Sequence, residues 1–389
     1  MFLLALSILL LGAASVDVAP LVGAQHDYEY LANITVGGQT FSVIIDTGSS
    51  DTWLAQKGFA CLNLTGHPVP AATCGFGSQG FDSKLSKSFQ PYPSTSFYIT
   101  YGDGEYLSGA AAFETVTVGG LTVTHQEIGM VASAAWTGDG INTGLLGLAY
   151  PSLTSVENTS HGQGMLYNPF FFNAVKQNKI PHPYFSIALN RGTITAEHSP
   201  RPDPHLGYLA FGGIAPVPVT NTTATLPVQG FSIATHAPVS GAGATYSYYG
   251  VDVQKYVFPG SAAIFTAQNS TILDSGTTLN LMPSAVAQKY NAAFNATWRD
   301  GQYYVDCAAK APPFAVVLGG KTFTIDGRDQ IVSFGKDADG KEMCISGTQD
   351  GGPDMQGSVF ILGDVFLHNV VTTFDIQKNQ VTVSQRQHY

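Results

Sequence analysis

The chain has 389 residues, with 17 Lys and Arg against 27 Asp and Glu, so its formal net charge is −10 at neutral pH. Charged residues make up only 11% of it, well below the roughly 25% of ordinary soluble domains. So few cations cannot neutralise many phosphates, which excludes a nucleic-acid-binding protein, and 44% apolar residues exclude intrinsic disorder. The length favours two domains, and 43 Gly with 21 Pro predict a mostly β, turn-rich chain.

The N-terminal residues carry the pattern of a secretory signal peptide. An uncharged apolar run from Phe2 to Gly12 precedes small residues, and it is too short to span a bilayer. This pattern predicts a signal peptide over residues 1–14 and a secreted, extracellular protein, with a vacuole as the alternative destination. Because no basic residue precedes the run, an N-terminal core strand is the other interpretation. The polar residues 385–389 predict no membrane anchor.

Short alternating segments joined by glycine turns predict β-hairpins along the chain. Gly37-Gly38 and Gly119-Gly120 separate alternating apolar runs, and residues 324–327 offer another tight turn. Helix signals are few. Pro169 and Pro283 can each open a helix, and apolar residues follow Pro283 at every fourth position.

An internal repeat is the most informative pattern in the sequence. The segment at 43–50, three apolar residues followed by Asp-Thr-Gly-Ser-Ser, recurs at 271–278 as apolar residues followed by Asp-Ser-Gly-Thr-Thr. Each copy is followed later by a second apolar segment that ends in glycine, at 143–147 and at 359–363. Two lobes related by a pseudo-two-fold axis follow from this repeat.

The composition shifts at residues 196–207, which contain three prolines and few apolar residues. We interpret this stretch as the join between the two lobes. The predicted domains are an N-terminal lobe over residues 15–195 and a C-terminal lobe over residues 196–389.

The N-glycosylation acceptor sites and the cysteines of the chain fit a secreted protein. Four cysteines allow three disulfide pairings, of which local pairing of Cys61 with Cys74 and of Cys307 with Cys344 is the most economical. The cysteines and histidines lack zinc-site spacing, so we predict no metal and no cofactor. The Asn-x-Ser/Thr acceptor sites are Asn33, Asn63, Asn158, Asn221, Asn269 and Asn295.

The repeated aspartates, Asp46 and Asp274, carry the predicted chemistry. If the two repeat loops meet, their carboxylates share one site, and like charges at such short range cannot both ionise. A water held between them can lose its proton to the ionised carboxylate while the protonated one polarises a peptide carbonyl. The pair therefore predicts acid-favouring hydrolysis of amide bonds without a metal or a covalent intermediate.

These motifs resemble the pepsin-like aspartic proteases over essentially the whole chain after the signal peptide, in the style of secreted fungal members. Asp46 and Asp274 match the two catalytic aspartates of that family, and Trp53 and Tyr101 match its hydrogen-bonded Trp and flap Tyr. The resemblance implies a mostly β, bilobal fold whose central cleft binds an extended peptide as an added strand. It also implies protein or peptide substrates, pepstatin-type inhibitors and a monomer.

The resemblance also implies supporting roles. Thr47 and Ser275 are expected to form a hydroxyl lock between the loops, with Ser275 in place of the commoner Thr, and Ser49 is expected to hydrogen-bond Asp46. Many family members have disulfides where the two cysteine pairs lie. The residues expected to contact substrate are Gly48, Tyr101, Gly102, Asp103, Gly276 and Thr277.

The preferences expected at the position before the cut bond come from the flap and the cleft wall. Similar fungal-type family members with an acid at the place of Asp103 accept Lys there, because a carboxylate can meet the ammonium group. A solvated turn carboxylate is the alternative interpretation of Asp103. Large hydrophobic side chains are expected to fit against apolar walls formed by Ile44, Phe113, Trp136 and Leu145.

Two questions stay open at the level of the sequence. Family zymogens carry a basic propeptide, whereas Asp46 lies only about thirty residues after the predicted cleavage site. This spacing fits either secretion without a propeptide or a sequence whose start is incomplete. The alternative function is that of a catalytically silent glycoprotein of the same fold, acting as a binder or an inhibitor.

Overall fold

Strands dominate the protein and account for 50% of the residues against 10% for helices, which confirms the predicted mostly β fold class. The predicted signal peptide, Asn269 and residues 196–201 of the predicted join lie outside the described residues. The computed structural model describes residues 16–23, 29–78, 80–192, 202–231, 238–239, 245–264, 270–355 and 358–389.

The strands alternate with tight turns throughout the described residues. Up to residue 192 they are β1 (Asp17–Gly23), β2 (Tyr30–Val36), β3 (Gln39–Asp46), β4 (Thr52–Cys61), β5 (Gln90–Pro91), β6 (Thr95–Thr100), β7 (Tyr106–Val118), β8 (Leu121–Ala135), β9 (Gly144–Gly147), β10 (Val156–Asn158), β11 (Gln163–Gly164) and β12 (Tyr184–Leu189). After it they are β13 (Asp203–Phe211), β14 (Val219–Pro227), β15 (Gly230–Phe231), β16 (Pro238–Val239), β17 (Gly250–Val251), β18 (Val253–Val257), β19 (Ser270–Leu273), β20 (Asn280–Met282), β21 (Thr297–Arg299), β22 (Gln302–Val305), β23 (Phe314–Leu318), β24 (Lys321–Ile325), β25 (Ile331–Lys336), β26 (Glu342–Ser346), β27 (Thr348–Asp350), β28 (Val359–Leu362), β29 (Val370–Asp375) and β30 (Gln380–Arg386).

Helices are short, and two of them begin where a proline predicts. These are α1 (Phe170–Lys176), directly after Pro169, and α2 (Ser284–Ala292), directly after Pro283. A proline fits there because its missing N–H would have no partner at a helix start. The four-residue α3 (Asp364–Leu367) was not predicted, because it is too short to show a hydrophobic period. Single 3₁₀ turns lie at Ala71–Cys74, Ser83–Leu85, Pro151–Leu153 and Gly327–Gln330.

The largest sheet joins both halves of the chain. Its order is β11-β10-β6-β7-β8-β4-β9-β3-β2-β1-β13-β12-β29-β30-β14, with β5 paired to β7. In it β1 pairs antiparallel with β13, and β12 and β13, which flank the predicted lobe boundary, pair with each other. Smaller sheets β17-β19-β28-β20-β27, β18-β23-β24 and β21-β22-β26-β25 build the rest of the C-terminal half, beside the two-stranded β15-β16.

The two copies of the sequence repeat fold alike. In the first copy, β3 pairs in parallel with β9, which places Asp46 beside Gly147. In the second copy, β19 pairs in parallel with β28, which places Leu273 beside Leu362. Each aspartate therefore follows a buried strand that runs parallel to the apolar segment ending in glycine.

Paired glycines close the predicted hairpins. Gly37 and Gly38 join β2 to β3 with φ of 54° and 82°, and Gly119 and Gly120 join β7 to β8 with φ of 57° and 98°. Positive φ at both turn residues matches the right-handed twist of the strands, and glycine adopts it without a steric penalty. The turn signal at 324–327 leads instead into the 3₁₀ turn at Gly327–Gln330.

Aromatic side chains fill the core in both halves of the chain. Phe171 of α1 is fully buried between Phe185 and Phe211, and Tyr290 of α2 is fully buried against Phe258 and Phe314. Burying one such side chain stabilises a fold by about 1.5–3 kcal/mol. These contacts fix both helices against the sheets.

Two disulfides cross-link the described chain, with Cys61 bonded to Cys74 and Cys307 bonded to Cys344. Both are the local pairings that the spacing favours. None of the helices in the described part of the chain is long and apolar enough to cross a membrane.

Candidate active site

Two matching loops meet and are tied together by hydroxyl groups. The Thr47 N–H donates to Ser275 Oγ at 3.2 Å, and the Ser275 N–H donates to Thr47 Oγ1 at 3.0 Å. Each hydroxyl then donates to the strand end of the other loop, Thr47 Oγ1 to the Leu273 carbonyl at 2.8 Å and Ser275 Oγ to the Ile45 carbonyl at 2.7 Å. The four reciprocal bonds fix the relative position of the aspartates that precede the two hydroxyl residues.

The Asp46 carboxylate is held by its own loop. It is 5% exposed and accepts hydrogen bonds from the Gly48 N–H at 2.7 Å and from the Ser49 hydroxyl. Both donors lie within three residues, because the chain turns sharply after β3. The carboxylate orientation is therefore set before any substrate arrives.

Asp274 repeats this arrangement in the other loop. It is 6% exposed and accepts hydrogen bonds from the Gly276 N–H at 2.9 Å and from Thr277 Oγ1 at 2.8 Å. The donors occupy the same positions relative to the aspartate as in the first loop. The two carboxylates are thus presented by equivalent turns.

Glycine is required beside each carboxylate because the opposite carboxylate lies against it. A Cβ atom at Gly48 would lie 2.5 Å from Asp274 Oδ1, and one at Gly276 would lie 2.5 Å from Asp46 Oδ1. Real Cβ contacts are never this short, so any other residue would displace a carboxylate. The two glycines allow the aspartates to approach across the loop interface.

The electrostatics of the pair favour a shared proton. Burial and the charge of Asp274 raise the pKa of Asp46 above its ordinary value, although hydrogen bonds from Ser49 and Gly48 oppose the rise. Two buried carboxylates that approach each other across the loop interface cannot both ionise, so the pair holds one proton through the acid pH range. One oxygen can then accept a proton while the other carboxyl donates a hydrogen bond.

A hairpin extends beside the dyad, the name we use for Asp46 and Asp274. It is formed by β6 and β7, and its tip is closed by hydrogen bonds from the Tyr101 N–H to the Glu105 carbonyl at 2.8 Å and from the Gly104 N–H to the Tyr101 carbonyl at 3.1 Å. The tip residues Gly102, Asp103 and Gly104 are exposed. A hydrogen bond from Trp53 Nε1 to the Tyr101 hydroxyl, 2.8 Å long, ties this hairpin to β4.

Aromatic rings support the base of the hairpin. The Trp136 ring packs edge-on against Trp53 at 5.3 Å and against Tyr101 at 5.7 Å between centroids, and it stacks on Phe76 at 6.2 Å. Trp136 is 9% exposed and lines the cleft. The cluster gives the cleft an apolar wall next to Tyr101.

A cleft of about 1310 Å³ contains both aspartates and the hairpin tip. Ile44, Leu145 and Trp136, predicted as walls, line it. Phe113 does not belong to this lining, because its ring stacks on His125 at 4.1 Å and packs on Tyr92 at 4.8 Å. The other predicted contact residues in the lining are Gly48, Tyr101, Gly102, Asp103, Gly276 and Thr277.

The opposite wall of the cleft was not predicted from the sequence. It is contributed by apolar residues of the second half, and β20, β25, β26 and β28 supply most of them. Ile272 and Ile361 belong to the repeat and are the counterparts of Ile44 and Leu145, so the repeat itself held the signal for them. The remaining apolar residues of this wall are Tyr248, Leu279, Leu281, Phe334, Ile345 and Val359. Val359 begins the second repeat segment, and the others have no signal in the sequence.

The cleft lining is acidic. It contains six carboxyl side chains and, among the described residues that form it, no Lys, Arg or His. Beyond the dyad, the carboxyl residues are Glu29, Asp51, Asp103 and Glu105. Burial raises the pKa of Glu29, Asp51 and Glu105, so a bound cationic side chain would meet complementary charge at those carboxyls of the lining that are ionised.

Glu29, which lines the cleft, forms a half-buried carboxyl pair with Asp139. The Asn142 amide donates to Glu29 Oε2 at 2.7 Å and to Asp139 Oδ1 at 2.9 Å, which brings the two acids together. Burial and the charge of Asp139 raise the pKa of Glu29 well above its usual range. This pair therefore keeps a proton at pH values where an exposed glutamate is ionised.

The predicted glycosylation sites differ in exposure. Asn33, Asn63, Asn221 and Asn295 are exposed, and Asn158 is half-buried. Exposure leaves the four asparagines accessible to modification.

The chain matches the family described as eukaryotic aspartyl protease over residues 29–386. It is 38% identical over 365 residues to a probable aspartic-type endopeptidase of Aspergillus fumigatus, which covers 92% of this chain and 79% of that protein. It is 29% identical over 376 residues to penicillopepsin-1 of Penicillium janthinellum, covering 93% of this chain and 96% of that protein. The solved aspartic proteinase from Irpex lacteus has the same fold, with a TM-score of 0.72 at 22% identity and coverage of 96% and 98%.

Proposed function

Because the chain belongs to the eukaryotic aspartyl protease family and is an aspartic-type endopeptidase, we propose that Asp46 and Asp274 are its catalytic dyad. The observation that carries this proposal is the meeting of two equivalent, buried carboxylates inside the cleft. No other pair of carboxylates in the described cleft lining is built by both copies of the sequence repeat.

The reaction follows from the shared proton. A water between the carboxylates gives a proton to the ionised one as its oxygen attacks the carbonyl carbon of the peptide bond. The protonated carboxyl donates a hydrogen bond to the carbonyl oxygen and stabilises the negative charge that develops there. Proton transfer to the amide nitrogen then allows the C–N bond to break, which releases a carboxylic acid and an amine. Both carboxyls return to sharing one proton.

Each loop residue has a supporting task in this proposal. Ser49 and Thr277 hold the outer carboxylate oxygens, and the lock between Thr47 and Ser275 fixes the distance between the loops. Such preorganisation lowers the cost of bringing the reacting groups into position.

Substrate binding is proposed to use the flap and the cleft walls. An extended peptide lies in the cleft as an added strand, covered by Tyr101 and Gly102 of the hairpin tip. Ile44, Trp136 and Leu145 favour a large hydrophobic side chain before the cut bond. The acidic lining, with Asp103 at the flap tip, adds acceptance of Lys at that position.

We further propose that the enzyme is secreted and works in acid. The apolar N-terminal run, the acceptor sites and two disulfides support secretion, since disulfides persist in oxidising compartments. The proton shared by the dyad supports acid activity, because a general acid and a general base are both present only while one proton remains.

The deciding experiment is hydrolysis of denatured haemoglobin or casein near pH 3–4, with and without pepstatin. We expect cleavage that pepstatin abolishes and that Asp46→Asn reduces by at least 10³-fold, the scale of losing a catalytic group. Asp300→Asn is the matched control, because Asp300 is exposed and lies outside the cleft lining. Absent cleavage in the parent protein would instead support the silent glycoprotein, and pepstatin-insensitive cleavage would place the activity elsewhere.

A further inference from the structure

The flap tip, residues 101–105, extends past the sheet that supports its hairpin. The ladder between β7 and β8 ends where Tyr106 lies opposite Ala135. Beyond that pair the backbone of the flap tip bonds to itself, through the two bonds of 2.8 and 3.1 Å that close the hairpin. A segment with so few backbone contacts to the body of the protein opens easily unless side chains hold it in place.

Hydrogen bonds from two donors join the flap tip to the rest of the described chain. Trp53 Nε1 donates to the Tyr101 hydroxyl at 2.8 Å, and the Thr137 N–H donates to Glu105 Oε1 at 2.7 Å. The first contact was predicted from the sequence, whereas Glu105 was not predicted to have a role. The Glu105 side chain is therefore the support of the flap tip that still lacks an explanation.

The position of Glu105 suits a tether between the flap tip and the sheet. It is half-buried and lines the cleft, and its own N–H donates to Asp103 Oδ1 at 3.0 Å, which restricts the backbone that carries the side chain. At 2.7 Å its bond to the Thr137 N–H is at the short end of the range for N–H donors. Thr137 lies two residues past the last ladder residue of β8, so this bond continues the attachment of the hairpin after the backbone ladder has ended.

The residue next to the donor forms the aromatic wall of the cleft. Trp136 directly precedes Thr137, is 9% exposed, and packs against Tyr101 at 5.7 Å between ring centroids. The Thr137 N–H belongs to the peptide unit that joins Thr137 to Trp136, so the bond to Glu105 fixes the backbone that carries the indole ring. The flap tip and the Trp136 wall are thereby held in one arrangement.

This tether does not need the charge of Glu105. Burial and the charge of Asp103 raise the pKa of Glu105, although hydrogen bonds from Thr137 oppose the rise. A protonated carboxyl group still has a carbonyl oxygen that accepts a hydrogen bond, so Glu105 can hold the Thr137 N–H in either protonation state. The bond is therefore compatible with the acid conditions in which the enzyme is proposed to work.

We propose that Glu105 is a positioning residue, which holds the flap tip and the Trp136 wall together at the cleft before substrate binds. This role rests on the proposed function, because it assigns the flap tip to substrate binding. A preset flap tip reduces the ordering that a peptide must impose when it enters the cleft. Since the peptide touches the flap tip both when bound and during the reaction, loss of the tether weakens both states equally and raises KM more than it lowers kcat.

The first test compares Glu105→Ala and Glu105→Gln with the parent on two peptides that differ only in Lys or Phe before the cut bond. Alanine removes the acceptor, so we expect KM to rise about 5–10-fold, by the same factor for both peptides, with kcat within about 2-fold of the parent. Glutamine keeps an acceptor oxygen and loses the charge, so it should restore KM to within about 2-fold of the parent. Glu157→Ala, at an exposed glutamate outside the cleft lining, is the matched control.

The other kinetic outcomes would overturn the proposal. If Glu105→Gln is as impaired as Glu105→Ala, or if only the Lys peptide is affected, Glu105 acts through its charge and not as an acceptor. If KM in Glu105→Ala is unchanged, the bond from Trp53 is sufficient to position the flap tip. If kcat falls while KM stays constant, the side chain acts on the reaction step and not on the readiness of the flap tip.

A second measurement does not depend on protease activity. Amide hydrogen exchange is followed by mass spectrometry without substrate, in proteins that all carry Asp46→Asn so that self-digestion does not interfere. We expect peptides covering residues 99–107 and 136–140 to exchange about 3-fold faster or more in Glu105→Ala than in the parent or in Glu105→Gln, while residues 36–41 keep the parent's rate. If the parent cleaves no protein, the exchange rates still decide whether the tether holds the flap tip, and equal rates in all three proteins would overturn it.

Discussion

At the scale of single residues, Asp103 is the exposed flap residue that we propose sets specificity. Its Oδ1 accepts a hydrogen bond from the Glu105 N–H at 3.0 Å, which shapes the flap tip, and the side chain lines the cleft. A carboxylate at this point can pair with a Lys side chain of the substrate. Because the residue is exposed, we expect the pair to contribute about 1 kcal/mol rather than the larger energy of a buried pair.

Asp103→Ser should lower cleavage after Lys selectively. Serine can still accept the hydrogen bond that shapes the turn, so the flap is expected to keep its form while losing its charge. We predict that kcat/KM falls about 5-fold for a peptide with Lys before the cut bond and stays constant for the same peptide with Phe. An unchanged Lys-to-Phe ratio would assign Asp103 to the turn alone.

Gly276→Ala should abolish activity while leaving the fold intact. The added Cβ would lie 2.5 Å from Asp46 Oδ1, so the carboxylate must move out of the dyad. We predict a loss of at least 10²-fold in kcat, the cost of a misplaced reacting group. Gly164→Ala is the matched control, because apart from its two chain neighbours no described residue lies within 4 Å of its Cβ position. Near-normal kcat in Gly276→Ala would contradict the tight approach of the two loops.

At the scale of elements, the repeated strand–loop unit is what assembles the site. Each aspartate is delivered by a buried strand, β3 or β19, that pairs in parallel with a second strand of the same repeat. The loops are then joined by the four bonds of Thr47 and Ser275. Ser275 is 2% exposed, so losing its hydroxyl leaves buried polar groups without partners.

Ser275→Ala should weaken both stability and catalysis. It removes the acceptor of the Thr47 N–H and the donor to the Ile45 carbonyl. We predict destabilisation of about 1–3 kcal/mol in urea unfolding, together with a lower kcat. Ser275→Thr keeps the hydroxyl and should retain most of both quantities. If the alanine variant matched the parent, the lock would have no energetic role.

Local sequence patterns predicted where the hairpins and helices lie better than they predicted which distant segments contact each other. Alternation and glycine pairs located the β2–β3 and β7–β8 hairpins, and the proline signals located α1 and α2, because these features depend on neighbouring residues. The repeat also predicted that Asp46 and Asp274 meet. The pairing of β1 with β13, and the cleft wall at Phe334, depend on contacts between distant segments and leave no periodic signal.

At the scale of the whole molecule, carboxyl groups whose pKa is raised by burial make the fold more stable at acid pH. Burial raises the pKa of Asp51, and burial and Asp139 raise the pKa of Glu29. A group with a raised pKa holds its proton more firmly in the folded state than in the unfolded chain. Its stabilising contribution is complete below the unfolded pKa, near 4, and is lost as pH rises through the folded value. Few cations, 17 Lys and Arg in 389 residues, also limit self-repulsion once the carboxylates are protonated.

Glu127 allows this acid stability to be tested with one substitution. Burial, with a smaller contribution from the charge of Asp51, raises the pKa of Glu127 to about 7, and its buried Oε1 has no hydrogen-bond partner among the described residues. The folded protein must therefore ionise an unfavourably placed carboxylate as pH rises from about 5 to 8. Glutamine has a similar shape and no charge to bury.

We predict that Glu127→Gln and the parent are about equally stable at pH 4, and that the variant is more stable by about 1–2 kcal/mol at pH 8 once solvent screening of a half-buried group is allowed for. Urea unfolding at both pH values measures the difference, and Glu157→Gln, at an exposed glutamate, is the control. Since Glu29 and Asp51 act in the same direction, the parent should be most stable on the acid side. A stability maximum near pH 8, or parallel pH curves for the parent and Glu127→Gln, would show that the buried carboxyls do not link this fold to acid.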